Sequence, residues 1–380
     1  MKIQTIEAFP ISFPIPEGNS VTLGIGRSVK RDAVLVKITT DEGVVGWGES
    51  HHGRAPGAVA HLIRSTLSDL IVGMDALANV TVWDRIYKMQ LASHGMGAAA
   101  AIAMSGIDMA LWDIRGKAAN MPLYRLLGGE GTPVTAYAGG IALGYQAPET
   151  LAEEAAELVG RGYRALKLRI GDTPAADIAR IRAVRDALGA EVDILTDANA
   201  NASFDHVRRI MPVLDDVHAG WLEEPFSPHD YPLYERAAQL GTTPLAAGEN
   251  HYTRFEFRDL ITSGTVGILQ PDLSKTGGIT EGLRIAAMGS AYGLEIHPHT
   301  STTALNMAAT IHFLAAIDMP GYYEAEVSKA NPFRDEISDQ KFTIDSNGCF
   351  HPFQGPGLGL EIDEDFVKHH PLIDGPGYVK

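Results

Sequence analysis

Apolar positions along the chain fall into two textures that change near residue 130. Up to about residue 60 the pattern is that of strands. Ala33-Val34-Leu35-Val36-Lys37-Ile38-Thr39-Thr40 is apolar and β-branched, Asp41-Glu42-Gly43 makes a turn, and Val44 to Glu49 runs back as the second arm of a hairpin. From about Ala58 to Leu127 the chain is rich in Ala, Leu and Met, and Ala99 to Ala118 keeps apolar residues at helical spacing around Asp108, Trp112 and Asp113. Residues 1–130 thus predict a small α+β domain, a meander followed by a helical bundle.

From Val134 a strict alternation begins. Short β-rich runs at Val134–Tyr137, Ala165–Ile170, Asp193–Asp197, Gly220–Glu224, Pro244–Ala247, Gly267–Gln270 and Gly293–His297 are separated by amphipathic stretches such as Pro148–Arg161, Ala175–Leu188, Phe204–Leu214 and Ile279–Met288. Strands joined by helices rather than hairpins form parallel sheets. A doubly wound sheet has the same texture, but the even repeat over residues 131–320 favours a closed α/β barrel of the (β/α)7β type. Residues 321–380 are irregular and rich in Gly and Pro, as in Gly355-Pro356-Gly357-Leu358-Gly359, and are expected to pack back on the first domain and complete it.

Composition narrows the function. Hydrophobic residues make up 45% of the 380 and charged residues 21%, an ordinary globular balance. A net charge of −16 disfavours binding to nucleic acid. An anionic substrate would then need local positive charge, from a metal or from fixed Lys and Arg. The single cysteine, Cys349, excludes an intrachain disulfide framework and reads as packing. No long uncharged apolar run and no leader pattern is seen, so no membrane partner and a cytoplasmic location are expected.

In a barrel of parallel strands, chemistry collects at the C-terminal strand ends. Those positions carry Lys167 and Arg169, then Asp197, Glu223 and Glu249, then Asp272, with His297 and His299 after the seventh strand and Glu324 beyond. Asp197, Glu223 and Glu249 are spaced 26 residues apart, one repeat each, and should converge on one side of the mouth. Three convergent carboxylates need a counter-charge, and all-oxygen ligation favours Mg²⁺, with Mn²⁺ the alternative and Zn²⁺ disfavoured. Lys167 and Arg169 share one face of a strand and would point inward to meet anions; a desolvated Lys beside a divalent cation has a lowered pKa and can act as a base, whereas Arg stays charged. Asp272, on the strand before His299, would fix the imidazole tautomer and raise its basicity, and His297 reads as a strand residue directed elsewhere.

These residues resemble the enolase superfamily and, within it, the mandelate racemase group, over nearly the whole chain. Val45-Gly46-Trp47-Gly48-Glu49 and Ser105-Gly106-Ile107-Asp108-Met109-Ala110-Leu111-Trp112-Asp113 resemble its capping-domain signatures. Lys167-Leu168-Arg169-Ile170-Gly171, Glu223-Glu224-Pro225, Gly248-Glu249-Asn250 and Gln270-Pro271-Asp272 resemble its barrel. The resemblance implies Mg²⁺ on Asp197, Glu223 and Glu249, a His299–Asp272 dyad, and Glu324 as the acid hydrogen-bonded to the substrate carboxylate, with Glu326 close by as a competitor. It gives the loops near Ser20–Arg27 and His51–Arg54 the task of covering the mouth and choosing the substrate, which His51, Asn199 and Lys275 are expected to touch. It also implies a homo-oligomer, a dimer or an octamer.

One position departs from the pattern: the second cation of the Lys-x-Lys motif is Arg169, a poor base. Lys275 matches the base of the muconate-lactonising group, but that enzyme type also wants Lys opposite. Two-sided proton transfer is thereby weakened, and the leading expectation is a dehydratase of a sugar acid. His299 would remove the proton alpha to the carboxylate, help the 3-hydroxyl leave, and eliminate on one face. A racemase, epimerase or cycloisomerase of a small carboxylate is the second expectation, and a catalytically silent binding protein on the same scaffold the third.

Overall fold

The computed structural model describes residues 1–300 and 302–380. Strands β1 (Ile3–Pro14), β2 (Thr22–Leu23), β3 (Gly26–Ser28), β4 (Lys30–Thr40) and β5 (Val45–Ser50) open the chain. β4 lies between β1 and β5, antiparallel to both, so the hairpin read from the sequence holds, with Val36 opposite Gly48 and Ala8 opposite Val36. As the middle strand β4 is covered on both faces, which is why its apolar run is nearly continuous. The helical region comes in pieces, Pro56–Leu62 running on to Ile71, Asn79–Ile86 running on to Leu91, and then the buried helix Ala98–Ala119. Small residues let that helix lie directly on β5: a Cβ at Gly48 would stand 2.1 Å from the Gly106 carbonyl oxygen. Asn120 ends the helix in the left-handed conformation.

The second texture is a ring of parallel strands: β6 (Val134–Gly139), β7 (Ala165–Arg169), β8 (Asp193–Asp197), β9 (Leu222–Glu223), β10 (Leu245–Ala247), β11 (Ile268–Leu269), β12 (Glu295–Ile296) and β13 (Tyr323–Glu326). Each pairs with the next, β13 pairs with β6, and a parallel bridge from Ile296 to Pro320 closes the gap between β12 and β13. The doubly wound alternative is thus excluded, and the eighth strand lies a few residues past 320, inside the stretch read as tail. Helices follow the strands at Pro148–Gly160, Pro174–Leu188, Phe204–Asp216, Tyr231–Ala237, Thr253–Ser263, Gly278–Ala291 and Ala304–Leu314. Thr173, Ser203 and Thr303 cap three of them with their side-chain oxygens.

Side chains alternate across each strand, and this decides what enters the ring. Leu166 and Leu168 of β7 face the helices and join the main core, whereas Ala165 belongs to an inner plug with Tyr137, Leu195, Trp221, Ala246 and Ile268. Lys167 sits above that plug, its ammonium 5.4 Å from the Tyr137 ring centre. Beyond β13, strand β14 (Cys349–Phe350) pairs antiparallel with β6. The tail then returns to the first domain: Ile11 bridges Pro371, Lys37 pairs with Glu364 at 2.6 Å, and Phe13 packs on Phe333. Its last strand, β15 (Tyr378–Val379), pairs with β3 to make a small sheet with β2, an element the sequence reading did not foresee. Among the described residues no helix is long and apolar enough to cross a membrane.

Candidate active site

Three strand ends bring the acidic trio together. Asp197 and Glu223 are register partners on β8 and β9, and Glu249 lies two residues past β10. Each is engaged by donors from the same mouth. Asp197 accepts from the Arg169 guanidinium and from Asn199, through its backbone N–H at 2.7 Å and its amide at 3.1 Å. Glu223 accepts from Lys167 at 3.0 Å, from Gln270 at 2.7 Å and from the Trp221 indole at 3.2 Å. Glu249 accepts from Asn250 at 3.0 Å and faces His299 Nε2 at 3.2 Å.

Lys167 is fully buried and lies 3.0 Å from both Glu223 and Glu324 and 3.7 Å from Asp197. Burial alone would lower its pKa, but Glu223 and Glu324 raise it well above the usual lysine value. Held between these carboxylates Lys167 is a cation; the lowered, basic Lys167 of the sequence reading belongs to a site in which a divalent ion takes Asp197 and Glu223. Arg169 spans Asp197 and the Gly140 carbonyl, and its pKa is raised, chiefly by Asp197 against the cost of burial. Both members of the Lys-x-Arg pair are thus held by carboxylates.

The dyad is formed. His299 Nδ1 donates to Asp272 Oδ2 at 2.7 Å, while Asp272 Oδ1 accepts from Ser274 N and Oγ, each at 2.7 Å, and from Asn306 at 3.1 Å. Those donors hold the Asp272 carboxyl below its ordinary range despite burial. Burial pulls the His299 imidazole down, but Glu249 and Asp272 outweigh it and push its pKa up to about 9. Glu324 faces the acidic floor, accepting from Gly140 N at 3.0 Å and Thr300 N at 3.2 Å, while Glu326 also lines the mouth but is bound by Arg31 at 3.1 Å. His297, as expected, points elsewhere, onto Trp221 and Tyr322, with Nε2 3.0 Å from Glu295.

Arg169, Asn199, Glu249, Lys275 and His299 form the floor of a cavity of about 200 Å³. Lys275 is buried there, donating to Asn250 at 2.9 Å and standing 3.9 Å from Glu249. The roof comes from the first domain and the tail: His51 with its neighbours His52 and Arg54, the apolar Leu23 and Ile25, and Tyr378. Sequence reasoning missed His52, Arg54, Asn250 and Tyr378. The first two sat in a loop already singled out and Asn250 beside a chosen acid, but nothing local marks Tyr378. A larger cavity of about 520 Å³ between Gly18–Thr22 and helix Pro148–Gly160 contains none of these groups.

Among the described residues, no three His, Cys, Asp or Glu side chains are grouped to hold a metal ion, and protein cations engage the three carboxylates. The donor set nevertheless fits a hard divalent cation. It is all oxygen and drawn from neighbouring strands; burial together with Asp197 pushes the Glu223 carboxyl up to about 7, whereas His299 and Lys275 pull Glu249 down against its burial. An ion taking these oxygens would displace Arg169 from Asp197 and His299 from Glu249.

A closed parallel barrel, capped by an antiparallel domain, with acids on successive strand ends and a His–Asp pair across from them, defines an enzyme class built to handle a proton beside a carboxylate. Residues 11–128 match the mandelate racemase / muconate lactonizing enzyme N-terminal domain, and residues 150–366 match the enolase C-terminal domain-like family. The chain belongs to the mandelate racemase / muconate lactonizing enzyme family of the enolase superfamily. It is 34% identical to the arabinonate dehydratase of Saccharolobus solfataricus over 89% of this chain and 90% of that one. It is 33% identical to the D-galactonate dehydratase of Variovorax paradoxus over 88% and 90%. Among solved structures, an enolase superfamily member from Polaromonas sp. JS666 superposes with a TM-score of 0.98 at 56% identity over all of both chains. A racemase from Streptomyces coelicolor A3(2) with bound magnesium gives 0.88 at 26% over 97% of this chain and 100% of that one.

Proposed function

We propose that this protein is a sugar-acid dehydratase that works with Mg²⁺ held by Asp197, Glu223 and Glu249, with Mn²⁺ as a substitute. The observation that carries the reading is the one-sidedness of the proton-transfer groups. His299 has its Nδ1 committed to Asp272 and its Nε2 directed toward the acidic floor, while Lys167 is held by Glu324 and the other inward cation, Arg169, is a guanidinium that stays charged. The dehydratase names of the two curated relatives and the magnesium in the racemase structure support it. When bound, the divalent ion supplies Lewis-acid stabilisation of the negative charge that develops on the substrate carboxylate.

With Glu249 taken by the ion, His299 loses the contact that most raises its pKa, so its neutral Nε2 takes the proton from the carbon alpha to the carboxylate, and Asp272 stabilises the resulting imidazolium. Lys167 and Arg169 hold the anionic charge from the floor, and Glu324, 3.0 Å from Lys167, fixes that ammonium in place. The carbon–oxygen bond at C3 then breaks, and the imidazolium returns its proton to the departing hydroxide. Water leaves, and the enol becomes a 2-keto-3-deoxy acid. Use of one residue for both transfers gives syn elimination. A panel of sugar mono- and diacids with MgCl₂, read by semicarbazone absorbance of the keto product, tests the reading. At least one acid should be converted, His299→Asn should lower kcat by about 10²–10⁴, and EDTA should abolish turnover. Exchange of the alpha proton in deuterated water without loss of water would instead make the protein a racemase or epimerase.

A further inference from the structure

Set among the apolar Leu23 and Ile25, four polar side chains of the cavity roof can donate hydrogen bonds: His51, His52, Arg54 and Tyr378. Gly53 N donates to His51 Nδ1 at 3.0 Å, and Arg54 N donates to His52 Nδ1 at 2.9 Å. Each imidazole therefore accepts at Nδ1 and, while neutral, carries its proton on Nε2, so both rings are fixed as donors. The two rings lie together, with centres 4.0 Å apart. Burial, with Lys275 and Arg54 nearby, lowers the pKa of His52 to about 3 and keeps the ring neutral. Beside them the Arg54 guanidinium has no carboxylate partner among the described residues, unlike Arg169, Lys167 and Lys275. The roof's fourth polar group is the Tyr378 hydroxyl, which also makes no hydrogen bond to a described residue.

Tyr378 reaches this place through strand pairing. It stands opposite Ser28, Val379 stands opposite Arg27, and Val29 N donates to the Gly377 carbonyl at 2.9 Å. Gly26 admits the strand, since a Cβ there would meet the Val379 carbonyl oxygen at 2.7 Å. Further back, Lys30 holds the Ile373 carbonyl at 2.5 Å and Ser12 Oγ accepts from Ile373 N at 3.0 Å. Glu326, which lines the same cavity, is already taken by Arg31 and Ser328.

A hydroxyl tail needs acceptors as well as donors around it; a carboxylate needs donors only. We propose that the substrate carries a second carboxylate, a sugar diacid, and that Arg54, Tyr378, His51 and His52 bind that distal group while the floor handles the reacting one. In a protein of net charge −16, an uncommitted guanidinium over the site supplies the local attraction that such a dianion needs.

The inference rests on the dehydratase reading for its assay but fails separately from it. With Mg²⁺, a six-carbon sugar diacid and the monoacid of the same configuration are compared as substrates. The diacid's kcat/KM should exceed the monoacid's by about tenfold or more. Arg54→Gln should raise the diacid's KM about tenfold, with kcat falling less, and Tyr378→Phe about threefold, so that the diacid preference shrinks. Unchanged melting temperatures would separate these effects from misfolding. Equal use of the monoacid, or an Arg54→Gln effect that is the same for both acids, overturns the inference. If no sugar acid loses water, the dehydratase reading falls, and calorimetric binding of the two acids to the Mg²⁺-loaded protein decides this one by the same ratio.

Discussion

Asp108 offers a sharp test of how the cap is clamped to the barrel. It lies on helix Ala98–Ala119 and accepts from Thr280 N at 2.8 Å and Thr280 Oγ1 at 2.6 Å, at the start of the helix that follows Lys275. Burial pushes its carboxyl up to about 7 from 3.8, although the Thr280 donors pull the other way. Between those two values the folded chain keeps a proton that the unfolded chain has lost. Stability therefore falls as pH rises through this window, and the loss is complete once both states are ionised. A shift of roughly 3 units corresponds to about 4 kcal/mol.

Asp108→Asn has no charge to bury. At pH 4.5 the variant should be less stable than the natural protein by about 1 kcal/mol, because the Thr280 hydroxyl loses its acceptor. By pH 8 the order should reverse, with the gap moving by several kcal/mol in favour of Asn. Urea titrations followed by far-ultraviolet circular dichroism at four pH values measure that gap. A gap that stays constant with pH, or that moves in favour of Asp, refutes the argument that ionised Asp108 is paid for in stability.

Lys167→Met should cost about 3–5 kcal/mol, since Glu223 and Glu324 would be left buried without their cation. Added Mg²⁺ should recover part of it, and urea midpoints with and without MgCl₂ check both statements. Asp177 accepts from Gly171 N at 2.8 Å, His206 Nε2 at 2.8 Å and Arg180 at 2.5 Å; burial would raise its pKa, but these donors lower it. Its contribution is full above the unfolded carboxyl pKa and lost as pH falls through the depressed one. Asp177→Asn should thus lower stability by about 1–3 kcal/mol at pH 7 and lose that effect as pH falls through the depressed Asp177 pKa, as read by thermal melts. Gly48→Ala should destabilise by about 3 kcal/mol, because its Cβ would lie 2.1 Å from backbone that cannot yield. Gly160→Ala, open in all directions at a helix end, should instead be neutral or stabilising by about 0.5 kcal/mol, and differential scanning calorimetry distinguishes the pair.

Much of the barrel was legible because its signals are local. Helix spans such as Phe204–Asp216 follow from side-chain periodicity and a Ser cap, and the even repeat between Asp197, Glu223 and Glu249 foretold that these acids would share one mouth. Strict alternation along β7 likewise sends Lys167 and Arg169 inward together. The eighth strand was missed because Tyr323–Glu326 follows an irregular link and is short; only pairing with β6 makes it a strand.

The sequence by itself determined the class of chemistry: an acidic floor, a His–Asp pair, and an Arg where a second base would stand. What only the tertiary structure decided is how charge is shared among those groups. Lys167 is a fixed cation because three carboxylates from separate strands close on it, and no spacing along the chain reports that. The roof is the extreme case. Tyr378 reaches the cavity by pairing with a strand some 350 residues earlier in the chain, a contact set by backbone hydrogen bonds across the fold rather than by any motif around the tyrosine.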